Sequence, residues 1–275
     1  MAPAGFCPVP HTFRDQLWLS VGLSLGLGFA TLLRRLKWRA KPLGRATLYY
    51  WPATGKAETI RLLLAEMDVA FEEVNFEKPE SVQQIYSFGG EGMKAVRTLK
   101  AAMDFFAACR TKGGNLTTNT PMLEADGKFY TQSVAIYKLV ARHGGLYPVN
   151  DAEAAYVIDN VMAHCEDMFP LCYQALRGQV TRDELANTLV PKHLGNLERL
   201  LGQRGGMWFT GKFSVADVRV MDLCEHLFER SLPGCLRQFP QLHSLVERVK
   251  ARPRIAAYLA SQQYARTDKF HALPA

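Results

Sequence analysis

Cysteine is sparse in this chain, and badly spaced for chemistry. Six occur in 275 residues (Cys7, Cys109, Cys165, Cys172, Cys224 and Cys235), and no two stand in a CxxC spacing. That excludes the paired ligands of a zinc ribbon and the dense framework of a disulfide-stapled secreted domain. His164 and Cys165 are adjacent, which points them to different faces of a helix, so no metal is expected. Basic charge is also scarce where it would matter. The net charge is +7, but residues 1–41 carry +5 of it, leaving only +2 for the rest. A body that grips nucleic acid needs a basic face, so nucleic acid is not an expected partner.

Residues 17–33, LWLSVGLSLGLGFATLL, lack charge altogether, and RRLKWRAK follows at once. The run is at the short edge of what crosses a bilayer, where roughly 20 residues are usual. Its positive charges lie mainly after it, which argues against a cleavable signal peptide. The run is too continuous for the Arg-punctuated amphipathic helix of a mitochondrial presequence. It therefore reads as a membrane-anchor helix. The basic flank places the body on the cytosolic side. The expectation is a single-pass membrane protein of the mitochondrial outer membrane or the endoplasmic reticulum.

After Lys41-Pro42 the pattern changes. Residues 46–51 and 71–76 read as strands, with a helical face of Ile60, Leu63, Leu64 and Met67 between them. Residues 121–125 and 128–131 flank Asp126-Gly127, a strong hairpin signal. Helical spacing resumes over 133–143 and stops at Gly144-Gly145. From Asp151 onward strand signals vanish and five helical stretches follow. This order predicts an α/β domain over 45–150, interrupted by an insertion at about 77–118, then an all-α domain over 151–270. Within the insertion, residues 91–109 read as one amphipathic helix.

The stretch TLYYWPATGKAETIR, residues 47–61, ends a strand on two tyrosines just before a helix begins. Alternation sends Tyr49 and Tyr50 to opposite faces. With NTPMLEADGKFYTQSVAIYKLVA and WFTGKFSVADVRVMDL further along, this stretch resembles the cytosolic-type glutathione transferases, tyrosine-type and sigma/alpha-like. The likeness runs from about residue 46 to 264, outside the insertion. It implies a thioredoxin-like domain followed by a helical glutathione-transferase domain, with glutathione as co-substrate and no permanently bound cofactor. It implies conjugation of glutathione to hydrophobic electrophiles, with peroxidase or isomerase side activity, in a homodimer.

Carried over residue by residue, the resemblance assigns the sulfur-contacting phenol to Tyr50. A thiol with a pKa of about 8.5 is mostly protonated at neutral pH. A phenol O–H on the sulfur and a helix N-terminus beside it both favour the thiolate. Lys56 stands where alpha-class enzymes carry an arginine; it either supports the thiolate or is a solvated helix charge. Thr120-Pro121 is expected to be cis and to offer the Thr120 backbone to glutathione, while Gln132 and Ser133 hold its γ-glutamyl carboxylate. For the acidic residue that a neighbouring subunit lends to the glutathione amine, Asp159, Glu166 and Asp167 all stand near Ala163. Ser214 and Asp217 read as a capping box that begins a buried helix. No cysteine lies near the first helix, which argues against a cysteine-using reductase of this fold. The alternative is a non-catalytic binding or scaffold module at a membrane.

Overall fold

Alternation along residues 46–50 buries Ala46 and Leu48 completely and leaves Thr47 and Tyr49 partly exposed. In a computed structural model of the chain this run is β1 (Ala46–Tyr50). The structure describes residues 43–51, 53–75, 107, 110–111, 117 and 119–267. Two units divide the chain, residues 1–41 and 42–275, and the described residues all belong to the second. The expected anchor at 17–33 and the expected helix over 91–109 lie outside the described residues, apart from Ala107 in a helical conformation. Among the described residues no helix is long and apolar enough to cross a membrane.

β1 leads into helix α1 (Glu58–Glu66) and then β2 (Phe71–Asn75), which pairs with β1 in parallel. A parallel neighbour requires such a crossover, and α1 supplies it. β3 (Met122–Ala125) runs antiparallel to β1, and β4 (Lys128–Tyr130) antiparallel to β3, in the order β2-β1-β3-β4. Asp126 and Gly127 join the last two strands, both with positive φ (51° and 72°), as a two-residue hairpin turn requires. Helix α2 (Ser133–His143) follows and packs on α1.

From Ala152 on, the described elements are helical. α3 (Ala152–Leu176) is capped by the Asp151 side chain, which accepts from the Ala154 N–H. α4 (Val190–Gln203) is entered through a π segment, Leu185–Leu189. α5 (Val215–Leu223) begins at the expected capping box and is buried at every position. Asp217 accepts from the N–H groups of Ser214 (2.8 Å) and Phe209 (3.1 Å), so it closes the loop ahead of the helix as well as capping it. A second π segment, Cys224–Phe228, continues α5. α6 (Pro240–Lys250), α7 (Pro253–Leu259) and α8 (Gln262–Ala265) complete the described chain. One continuous hydrophobic core runs from Leu48, Ile60 and Leu123 through Ile158 and Val161 to Val220 and Leu245. The expected architecture is therefore present: a mixed four-stranded sheet with helices, followed by a helical domain packed against α1.

Candidate active site

The two tyrosines are sorted by the sheet. The Tyr49 hydroxyl donates to Glu124 of β3 at 2.7 Å and its ring lies against Phe129. Tyr50 turns the other way, toward the start of α1, where its hydroxyl oxygen accepts the backbone N–H of Lys56 at 3.1 Å. Gly55 allows that approach: its φ is +42°, and a Cβ there would overlap the Tyr50 hydroxyl. The phenol therefore sits on the turn that leads into α1.

Two buried arginines flank it. Arg61, wholly buried in α1, bonds Glu58 (2.9 Å), Glu73 of β2 (2.8 Å) and the Ala53 carbonyl (2.8 Å). Its guanidinium lies 6.0 Å from the Tyr50 ring centre. Burial works against its charge, but Glu58 and Glu73 outweigh burial and hold it firmly protonated. Arg219, buried in α5, bonds Glu166 of α3 (2.9 Å), Asp222 (3.2 Å) and Thr59 (3.4 Å). Burial raises the Tyr50 phenol above its ordinary value by more than the Lys56 N–H and Arg61 lower it. At neutral pH the phenol is therefore a neutral donor, the form that can hydrogen-bond an anion.

Lys56 points across to the helical domain. Its ammonium bonds Glu166 at 2.8 Å and sits 5.0 Å from the Phe169 ring centre. Glu166 thus joins Lys56 and Arg219. Burial tends to raise its carboxyl, but Arg219 and Lys56 outweigh that and hold it below the usual range.

Thr120-Pro121 is cis, as expected. Since Met122 is the partner of Tyr49 in the sheet, this bond falls beside the Tyr50 end of β1. The Thr120 N–H donates to the Asn119 side chain at 2.9 Å. Gln132 is exposed and holds a positive φ (68°), an unusual conformation for a residue other than glycine, with its amide reaching toward the Thr117 carbonyl at 3.5 Å. Ser133 is buried as the first residue of α2. One turn on, the Tyr137 hydroxyl donates to the Lys56 carbonyl, which ties α2 to the turn under Tyr50. Of the three acids near Ala163, Asp159 is bound to Lys138 (3.0 Å) and Tyr147, and Glu166 to Lys56 and Arg219, whereas Asp167 is exposed, as is Ala163.

Sequence reasoning passed over Arg61 and Arg219. The available signal was an arginine set in otherwise apolar helix, TIRLLL and DVRVM. Among the described residues no three His, Cys, Asp or Glu side chains are placed to hold a metal. Burial pushes the thiols of Cys165 and Cys172 up to about 12, which leaves them protonated and inert at neutral pH.

Comparison with known proteins places this geometry in a family. Residues 166–262 match the family described as glutathione S-transferase, C-terminal domain. The chain is 29% identical to glutathione S-transferase A1 of Bos taurus over 82% of this chain and 94% of that one. It is 30% identical to glutathione S-transferase P of Capra hircus over 79% of this chain and 93% of that one. A pi-class glutathione S-transferase structure from Onchocerca volvulus superposes with a TM-score of 0.62 at 24% identity, covering 81% of this chain and 95% of that one. Prostaglandin synthase D of Nilaparvata lugens gives 0.61 at 20%, covering 79% and 98%. At these identities the two structures establish the fold.

These findings correct the expected localisation. A single-pass membrane protein with its body facing the cytosol, at the mitochondrial outer membrane or the endoplasmic reticulum, does not stand. The relatives are matched over nearly their whole length by about four-fifths of this chain, and none of its described helices is long and apolar enough to span a bilayer. The sheet-and-helix body, the paired tyrosines sorted by β1 and the extent of the match agree: this chain belongs to the glutathione S-transferase family, transferases that take glutathione as co-substrate.

Proposed function

We propose that Tyr50 is the residue that holds the glutathione sulfur as its thiolate for transfer to a hydrophobic electrophile. The observation that carries this is the seat of its hydroxyl on the Lys56 N–H in the turn that leads into α1, 3.1 Å away, with the Arg61 charge behind the ring. A phenol is already neutral at neutral pH and burial raises it further, so its proton is available to the sulfur, and the nearby helix terminus adds to the field. In this reading Thr120, Pro121, Gln132 and Ser133 hold the tripeptide. The cis bond turns the backbone toward the cysteinyl part, and the start of α2 receives the γ-glutamyl carboxylate. Lys56, fastened to Glu166, contributes charge to the site from a fixed place. Peroxidase or isomerase side activity draws on the same thiolate.

A homodimer is part of this reading, with Asp167 as the acid lent to a neighbouring subunit's glutathione amine, because Asp159 and Glu166 are already committed within the chain. Relatives named A1 and P match about equally, so no single class is assigned to the chain. The test of Tyr50 is Tyr50→Phe in the full chain. Glutathione affinity is expected to hold while kcat/KM for conjugation drops by roughly ten- to a thousandfold, the loss of one hydrogen bond to a developing anion. Unchanged turnover in the variant removes Tyr50 from the mechanism.

A further inference from the structure

Tyr137 is a phenol set where an apolar side chain would fill the space. It stands on α2, one turn after Ser133 and on the same face, and is fully buried. A hydroxyl in such a place is destabilising unless it is bonded, a penalty that leucine or phenylalanine would not carry. The Tyr137 hydroxyl donates to the Lys56 carbonyl at 2.5 Å. Lys56 is thereby held at three atoms: its N–H by the Tyr50 oxygen (3.1 Å), its carbonyl by Tyr137 and its ammonium by Glu166 (2.8 Å). Gly55, just before it, has a φ of +42° and the loosest backbone of any residue type. The Glu58 N–H bonds the Thr54 carbonyl (3.0 Å), which ties the ends of this turn and leaves its middle to be placed by outside partners. Arg219 lies 5.4 Å from the Tyr137 ring centre and is itself fixed by Glu166. Burial raises the Tyr137 phenol above its ordinary range by more than Arg219 lowers it, so it stays a donor at neutral pH.

We propose that Tyr137 is a positioning residue for the conjugation reaction: it fixes the Lys56 backbone, and through it the Tyr50 hydroxyl, where the phenol favours the glutathione thiolate. The proposal rests on the Tyr50 reading above and adds a second phenol that acts only through the first. The Tyr50 hydroxyl has one proton to give. With that proton directed at sulfur, its oxygen is held by the Lys56 N–H, so the place of that N–H sets the distance and angle at which phenol meets sulfur. Freeing the Lys56 carbonyl lets the chain turn about the Gly55 backbone, and the phenol loses its seat. A donor fixed in advance of the reaction is the most effective kind, and small misplacements lower the rate steeply. The holds assigned to the rest of the tripeptide, at Thr120, Gln132 and Ser133, lie on other segments. Tyr137 thus bears on ionisation of the sulfur and leaves affinity for the tripeptide alone.

The test is Tyr137→Phe in the full chain, read by titrating the ultraviolet absorbance of the bound glutathione thiolate against pH. The apparent pKa of the bound thiol is expected to rise by about half a unit to one unit. Below that pKa, kcat/KM for an electron-poor aryl chloride at saturating glutathione then falls roughly three- to tenfold. Above it the two proteins are expected to agree within about twofold, as is their affinity for S-methylglutathione, which has no thiol. An unchanged thiol pKa, with activity lost evenly at every pH, overturns the proposal, because a merely structural phenol has that effect. The same titration on Tyr50→Phe separates the two readings. The pKa is expected to rise there too, and adding Tyr137→Phe to that variant is expected to raise it no further; an equal further rise overturns the route through Tyr50. A wild-type thiol pKa in Tyr50→Phe sinks the Tyr50 reading itself, whereas a shift in Tyr50→Phe with none in Tyr137→Phe sinks this proposal alone. Should Tyr137→Phe fail to fold, replacing Ala57 by its α-hydroxy acid turns the Lys56 carbonyl into an ester, a weaker acceptor, with every side chain kept. A rise of the same sign is expected, and its absence overturns the proposal.

Discussion

Gly55 shows how tightly the site is specified at the scale of single residues. It supplies a φ of +42° and the missing Cβ that lets the Tyr50 hydroxyl reach the Lys56 N–H. Gly55→Ala is expected to destabilise the chain by about 1–2 kcal/mol, from the left-handed backbone and the overlap with the phenol. It also moves the phenol off the helix start, so conjugation falls along with the urea midpoint; full activity in a folded variant would count against the seat described. That Tyr49 and Tyr50 face opposite ways was legible beforehand, because strand alternation is a local rule. Lys56 was not. Whether its ammonium is solvated or engaged depends on Glu166, 110 positions later, and no local pattern reports that pairing.

At the scale of elements, α5 is a helix whose start does two jobs. Asp217 caps the helix through Ser214 and fixes the preceding loop through the Phe209 N–H. Asp217→Ala leaves both amides unmatched in a buried place, and a loss of about 2–4 kcal/mol is expected from the cap and the second amide together. Chemical denaturation measures it; a loss under about half a kcal/mol would mean that the loop finds other partners. The capping-box spacing and the Asp-Gly hairpin were readable because each is a contract between neighbours in sequence. The expected ends of the strands and helices agree with the observed ones to within one or two residues in β1, β2 and α2. The π segments at Leu185–Leu189 and Cys224–Phe228 were not foreseen. They insert one residue into a helical repeat, which tertiary packing tolerates and hydrophobic spacing does not reveal.

At the scale of the whole molecule, the two domains are joined by charge. Asp222 accepts from Thr59 of α1 and faces Arg219 and His226, while Glu166 faces Lys56 and Arg219. Burial tends to raise the Asp222 carboxyl, but His226 and Arg219 outweigh it and hold it low, as happens at Glu166. Depressed carboxyls contribute stability that is fully present above their ordinary values, 3.8 for Asp222 and 4.5 for Glu166, and is lost as pH falls through the lower folded values. Asp217, raised to about 6 chiefly by burial, acts in the opposite sense, costing stability as pH rises from 3.8 to about 6. The difference between wild type and Asp222→Asn isolates the first effect. The wild type is expected to lose its advantage over the variant as pH falls below the ordinary carboxylate range, in urea midpoints taken from pH 7 to pH 2. Parallel curves would mean that Asp222 titrates alike in both states. The proposed dimer is checked by Asp167→Ala, expected to weaken glutathione binding about five- to tenfold by calorimetry, the worth of one charge-assisted bond, and to leave urea stability unchanged.

The order of strands and helices, the hairpin, the capping box and the opposite faces of the two tyrosines were settled by the sequence alone, since each depends on residues a few positions apart. The setting of Tyr50 was decided only by the tertiary structure. Arg61 and Arg219 stand in apolar helix with no local partner set in a linear reading, and become fixed buried charges beside the site only when Glu58, Glu73, Glu166 and Asp222 close around them. A buried arginine depends on partners brought from distant elements, because only paired charge is tolerated away from water. Those partners come together when the helical domain packs on α1.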